Sequence, residues 1–169
     1  MSNASSSSSA DMAFGDPQDW VLLTNLPSDY IDAFIHGGHY ANAPMVRWAV
    51  HNDGACSWRW MEDMISSQVA TEKERAVFAF NQSQGIKAGY TLSFRTVSKR
   101  SKGAIALIVP EDVGQHRADQ IWAEHGEEIM VLNNVMHLKV LALPHTGSRK
   151  LTSRQREVLQ WVGDGKTTQ

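Results

Sequence analysis

The chain predicts an α+β fold, with an antiparallel sheet and helices packed on its faces. Three observations carry that expectation. Tyr90–Val97 and Ala104–Val109 are rich in β-formers and flank a polar loop at 98–103, the pattern of a hairpin. A capping box and an apolar stripe mark a helix from Thr71 to Gln84, just ahead of that hairpin. Two further helical stretches follow, so strands and helices are mixed rather than alternating one to one.

The elements read in order as follows. Met1 to Ala10 is serine-rich and expected to be disordered, and residues 1–12 are set apart as a tail or tag. Trp20 to Leu26 reads as a strand on Val21-Leu22-Leu23-Thr24, ended by Pro27. Ser28 is placed to cap a short helix with Asp29 and Asp32 in its first turn, closed by Gly37-Gly38. Pro44 to His51 reads as a second short helix, with proline tolerated at its start. Ser57 to Trp60 reads as a short strand. In the Thr71 helix, Thr71 and Glu74 have capping-box spacing, Ala76, Val77 and Phe80 form the expected buried face, and Gly85 stops it. Pro110 opens a helical stretch to about His125. A long helix from about Glu127 to Leu143 then carries Ile129, Leu132, Met136, Val140 and Leu143 at core spacing. Pro144-His145-Thr146-Gly147 reads as a linker.

Bulk properties narrow the function. The length, 169 residues, suits one ordinary domain plus a fragment of a second. Lys and Arg number 16 against 18 Asp and Glu, so no global charge drives the chain toward nucleic acid. Basic residues gather only at Lys99, Arg100 and Lys102 and again at Arg149-Lys150, Arg154 and Arg156. Cys56 is the single cysteine, which rules out an internal disulfide and fits a reducing compartment; the cytoplasm is the expected location. No apolar run reaches membrane-spanning length and no signal-peptide core opens the chain.

No catalytic or metal constellation stands out. The histidines are scattered; His36 and His39 are close, but Gly37-Gly38 separates them and no cysteine or carboxylate completes a metal site. Cys56 has no histidine near it in sequence and reads as a small core thiol. Gly85 and Gly89 are too sparse for a phosphate-cradling loop. The basic segment from Arg95 to Lys102 lacks the aromatics that would stack bases and reads as a solvated hairpin. The expectation is therefore no enzyme, no catalytic residue, no metal and no cofactor.

The end of the chain is the most telling segment. Thr152 and Gln155 have capping-box spacing, Val158, Leu159 and Val162 give one apolar stripe, and Gly163 and Gly165 stop the helix. This reads as the first helix of a helix-turn-helix, ending ahead of the helix that would enter the major groove. On Leu151-Thr152, Arg154, Glu157-Val158-Leu159 and Gly165-Lys166-Thr167 it resembles the opening of the LuxR-type DNA-binding domain. Upstream, Asn25-Leu26-Pro27 with Tyr30, the segment Tyr40-Ala41-Asn42-Ala43-Pro44-Met45-Val46, Trp58, and Gly85-Ile86-Lys87-Ala88-Gly89 before a strand resemble the signal-binding domain of LuxR-type quorum-sensing regulators.

The resemblance implies an α-β-α sandwich, a central antiparallel sheet with helices on both faces. It implies an acyl-homoserine lactone bound inside the domain, dimerisation, and paired DNA-binding domains. It divides the chain into a sensor domain at 13–143, a linker at 144–150 and the start of the helix-turn-helix domain at 151–169.

Departures from the family pattern bear on the ligand. The family holds the lactone head group with tyrosine, tryptophan and aspartate. Those positions fall here on Leu26, Tyr30 and Ala43, with Asn42 beside the last; a further tyrosine falls on Phe34, and only Trp58 is kept. A hydrogen bond to a buried carboxylate is worth roughly 1.5–3 kcal/mol. Loss of two or three such contacts weakens a standard lactone on the order of 10³-fold, since about 1.4 kcal/mol is tenfold. The expected site, Leu26, Tyr30, Phe34, Asn42, Ala43, Met45, Val46 and Trp58, favours an apolar or aromatic ligand, with Tyr30 and Asn42 left to orient one polar group.

The function expected from the resemblance is a LuxR-type transcriptional regulator. It senses a small molecule, lactone-like or divergent, to control dimerisation and DNA binding. Its partners would be that signal, a second copy or a full-length relative, and DNA only through a complete C-terminal domain. The alternative is a naturally truncated, ligand-independent dimerisation protein that inhibits full-length relatives. A hydrolase of the signal ranks last, because no nucleophile–base pair converges.

Overall fold

The computed structural model describes residues 20–67, 69–95 and 102–143, together with Arg154 and Glu157. The elements are α1 (Ser28–Ile31), a π-turn (Asp32–His36), a 3₁₀ turn (His39–Asn42), α2 (Pro44–His51), β1 (Gly54–Ser57), α3 (Arg59–Ser66), α4 (Glu72–Ser83), β2 (Gly89–Ser93), β3 (Ala104–Ile108) and α5 (Gln115–Leu141). The fold is α+β, as the sequence predicts.

The sheet order is β1-β2-β3, antiparallel throughout, with Ser57 opposite Tyr90 and Gly89 opposite Ile108. Alternation along β2 sends side chains to two layers. Tyr90 and, just past the strand, Phe94 face α5: Tyr90 stacks on Trp122 at 4.2 Å and Phe94 on His137 at 4.1 Å. Thr91 and Ser93 face the other way. Thr91 Oγ1 accepts from the Trp58 indole N–H at 2.9 Å, and the Ser93 hydroxyl donates to the Ala49 carbonyl of α2 at 2.7 Å. Leu92 is fully buried at the centre. Helices thus cover both faces of the sheet.

Local chemistry explains the helix boundaries. Thr71 Oγ1 accepts from the Glu74 amide at 3.2 Å while Glu74 Oε2 accepts from the Thr71 amide at 2.8 Å, closing the predicted capping box on α4. The same carboxylate, buried, pairs with Arg47 of α2 and so joins the two helices. At the other end Gly85 takes φ 74°, with Ile86 N–H donating to Asn81 O and Gly85 N–H to Gln82 O. That is a Schellman closure, which needs a left-handed residue and here has glycine.

Several expectations are corrected. Residues 20–27 form no strand, and Val21, Leu22 and Leu23 are all largely exposed; β-forming residues without an apolar–polar alternation find no partner. Ser28 sits inside α1 rather than capping it, with Pro27 at the cap. The strand expected at Ser57–Trp60 lies earlier, at Gly54–Ser57, and Trp58 instead caps α3, a helix that was not predicted. Its signal was the Met61 and Met64-Ile65 spacing, masked by its shortness. On α4, Val77 is buried and Phe80 half-buried, but Ala76 is exposed.

The two C-terminal helices are one. Pro110 sits in a turn closed by Val113 N–H to its carbonyl at 2.8 Å, and α5 then runs unbroken through a buried Gly126 against Trp122. Its expected core positions Leu132, Met136 and Leu143 are exposed, while Ile129 and Val140 are half-buried. The tail, residues 96–101 (the end of the expected strand and most of the loop expected at 98–103) and the linker lie outside the described residues. So does the C-terminal segment apart from Arg154 and Glu157, which are helical.

Candidate functional site

The layer opposite α5 gathers the aromatic and apolar residues singled out above. Pro27 fixes the entry to α1, so Tyr30 falls on its first turn facing inward and is 7% exposed. The helix then widens into the π-turn, which carries Phe34, and ends at Gly37-Gly38, where Gly38 takes φ 79°. The 3₁₀ turn brings the chain back to Ala43, whose extended backbone and the following Pro44 start α2 and bury Met45. Trp58, at the junction of β1 and α3, closes the layer against the sheet.

Tyr30, Met45 and Trp58 meet in one buried cluster with Met61 and Ile86, and Leu26 and Phe34 pack half-buried against it. Ala43 is buried and Asn42 and Val46 are half-buried, but these three lie outside that cluster. Residues not assigned to the site from sequence complete the layer: Met61 from α3, Phe80 and Asn81 from α4, and Ile86 after the Schellman turn. The Gly85 stop signal was the available pointer to the last of these.

Aromatic packing is dense. The Tyr30 ring lies 5.5 Å from Phe34 and 5.6 Å from Phe80, nearly parallel to both, and His39 tilts onto Phe80 at 4.6 Å. The Tyr30 and Trp58 donors in this apolar setting are paired. Burial pushes the Tyr30 phenol up to about 12, so the hydroxyl is neutral and donates to Asn81 Oδ1 at 3.1 Å. The Trp58 N–H is taken by Thr91. Cys56 on β1 is half-buried, and burial pushes its thiol up, away from nucleophilic thiolate.

On the opposite face a groove of about 80 Å³ lies between the β2–β3 hairpin and α5, lined by residues that include Tyr90, Leu107, Ile121, Trp122 and Ile129. An enclosed apolar cavity that takes benzene is nearly twice that size, about 150 Å³. Beside it, Asp119 of α5 is ringed by donors from Ser57, Arg59, Tyr90 and Gln115. No group of metal-ligating side chains occurs among the described residues, and none of their helices is long and apolar enough to cross a membrane.

Comparison with known proteins bears on the family. A family profile described as "Autoinducer binding domain" matches residues 11–140. The chain is similar to the "Transcriptional activator protein ExpR" of Dickeya dadantii (strain 3937), 22% identical over 167 residues. That alignment covers 90% of this chain, which spans 63% of the relative's length.

Proposed function

The chain belongs to the autoinducer-binding domain family of LuxR-type regulators, and from that premise we propose that it senses a small, largely apolar signal to control dimerisation and DNA binding. The signal is held in the layer between α1–α4 and the sheet. The observation that carries the proposal is the meeting of Leu26, Tyr30, Phe34, Met45 and Trp58 in one apolar cluster there. The Trp58 indole donor is engaged by Thr91, and the positions expected to bear the other head-group contacts are Leu26, Tyr30 and Ala43. A ligand with one polar group and an apolar or aromatic body suits these side chains better than a lactone amide that needs a carboxylate partner. The relative's description as a transcriptional activator supports a regulatory outcome; the reading places it in the cytoplasm, with DNA reached through a complete helix-turn-helix domain.

A second reading has its own support. The Trp58–Thr91 and Tyr30–Asn81 pairs satisfy the buried donors internally. Such a core closes without a ligand, as in a ligand-independent module that dimerises with full-length relatives.

A thermal-shift screen of acyl-homoserine lactones, with native mass spectrometry of protein purified from its own host, separates the cases. Binding to the folded state alone must raise Tm. A copurifying apolar molecule with no lactone shift is the expected result. A clear lactone shift overturns the divergent-signal reading, and an empty, unshifted protein favours the ligand-independent one.

A further inference from the structure

We infer that Asn81 is a specificity-determining residue of the signal site, its carboxamide acting with the Tyr30 hydroxyl as the anchor for a single hydroxyl or carbonyl group on the signal. The inference rests on the proposed sensing function. Asn81 lies in the last turn of α4, and its backbone is fixed, because its carbonyl accepts from both Gln84 N–H at 3.1 Å and Ile86 N–H at 3.0 Å. Its side chain is therefore held at a defined place beside the aromatic layer. There it accepts from Tyr30 across 51 residues of sequence, joining α1 to α4.

This pair differs from the Trp58–Thr91 contact in the same layer. The Trp58 indole has one donor, and Thr91 occupies it. A carboxamide has two donors and an acceptor, and a phenol both donates and accepts. Among the described residues only Asn81 Oδ1 and the Tyr30 proton are engaged, which leaves the Asn81 amide hydrogens and the Tyr30 oxygen available. The surrounding surface is aromatic: Phe34 and Phe80 lie against the Tyr30 ring, and His39 against Phe80. An aromatic ring bearing one oxygen matches both features, since the ring can stack while the oxygen takes an amide hydrogen. The irregular π-turn and the left-handed Gly38 border the same place, where the covering segment is short-helical rather than one rigid rod.

The test compares two probes that differ only in the oxygen, 4-butylphenol and butylbenzene, by calorimetric titration of the full chain. Wild-type protein is expected to bind the phenol about tenfold more tightly, the worth of one hydrogen bond. Asn81→Leu is expected to bring that ratio to about one while butylbenzene affinity changes less than about twofold. Tyr30→Phe serves as a second variant and is expected to reduce the ratio in the same sense. A residue that merely ties α1 to α4 would shift both affinities together. An unchanged ratio in both variants therefore overturns the inference and leaves the sensing reading intact. Failure of wild-type protein to bind either probe overturns the inference together with the divergent-signal reading on which it rests.

Discussion

Asp119 Oδ2 on α5 accepts twice from the Arg59 guanidinium at the start of α3, from Nε at 2.9 Å and Nη2 at 2.5 Å. Its other oxygen accepts from Ser57 at 2.7 Å, Gln115 at 2.9 Å and Tyr90 at 3.0 Å. One carboxylate thus joins the end of β1, the start of α3, β2 and the first turns of α5. It is a polar fastening between the sheet and the helix that covers its second face.

That fastening has a pH signature. Partial burial raises the Asp119 carboxyl, but the hydrogen bonds from Ser57, Gln115, Arg59 and Tyr90 outweigh it and hold it at about 2, below its ordinary 3.8. A depressed carboxyl adds stability that is present in full above about pH 5 and is lost as pH falls toward 2. Asp119→Asn is expected to lower stability by about 1–2 kcal/mol at neutral pH, after allowance for solvent screening of a partly exposed group. The matching drop in Tm is roughly 3–6 °C. Melts followed by circular dichroism should converge for the two proteins between about pH 4 and pH 2; a gap that stays constant over that range would contradict the assignment.

The Trp58–Thr91 contact is expected to be energetically coupled. Trp58→Phe keeps most of the buried ring but leaves Thr91 Oγ1, 5% exposed as a residue, without its donor. The cost is about 1–3 kcal/mol, part of it from the unpaired hydroxyl. Replacing Thr91 by Val as well removes that unpaired group. In a double-mutant cycle by urea denaturation, Trp58→Phe with Thr91→Val should therefore lose about 1 kcal/mol less than the two single changes summed. Simple additivity would show that the hydrogen bond contributes nothing.

What could be read from the sequence depended on how local its cause was. The α4 capping box, the Pro44 start of α2 and the β2–β3 pairing are all set by neighbouring residues and lie where expected, although β2 ends at Ser93, short of the expected strand. The Val21–Thr24 segment and the break expected near Gly126 failed for the opposite reason. Strand formation needs a partner edge, and a helical glycine is tolerated where it admits a close neighbour, here Trp122. In the site, Tyr30, Met45 and Trp58 were legible through the family resemblance, and the structure brings them together. Asn81 was not, because a polar residue on a helix gives no sign that a phenol 51 residues away will reach it.

Gly89 should resist substitution. A methyl group there would lie against the Leu107 carbonyl oxygen across the hairpin. Its own N–H donates to Gln115 Oε1 at 2.9 Å, and its carbonyl accepts from the Trp58 backbone amide at 3.1 Å, so the backbone has little room to shift. Gly89→Ala is expected to cost about 2–4 kcal/mol, in the range of backbone clashes within a packed sheet. Amide exchange should show faster opening of Tyr90 and Thr91 than in wild-type protein. Unaltered protection at those two amides would mean that the hairpin absorbs the methyl by a register or twist change.

The far half of α5 gives the prediction closest to the proposed regulation. Val131, Leu132, Val135 and Leu138 are 62%, 69%, 51% and 61% exposed, although they are apolar and share adjoining faces of one helix. Contiguous apolar surface of this kind on a folded domain marks an association site. If two copies bury it, each leucine contributes about 1.5–3 kcal/mol to the pairing and nothing to the fold of one copy. Leu132→Glu combined with Leu138→Glu should therefore weaken self-association by at least about 100-fold, measured by light scattering after gel filtration across a concentration series. The Tm extrapolated to low concentration should change by less than about 2 °C, as for exposed positions. Loss of folding in the double variant would place these leucines in the intramolecular core instead. An unchanged dimer would move the pairing surface to another element, and with it the route by which a signal near Tyr30 could reach DNA affinity.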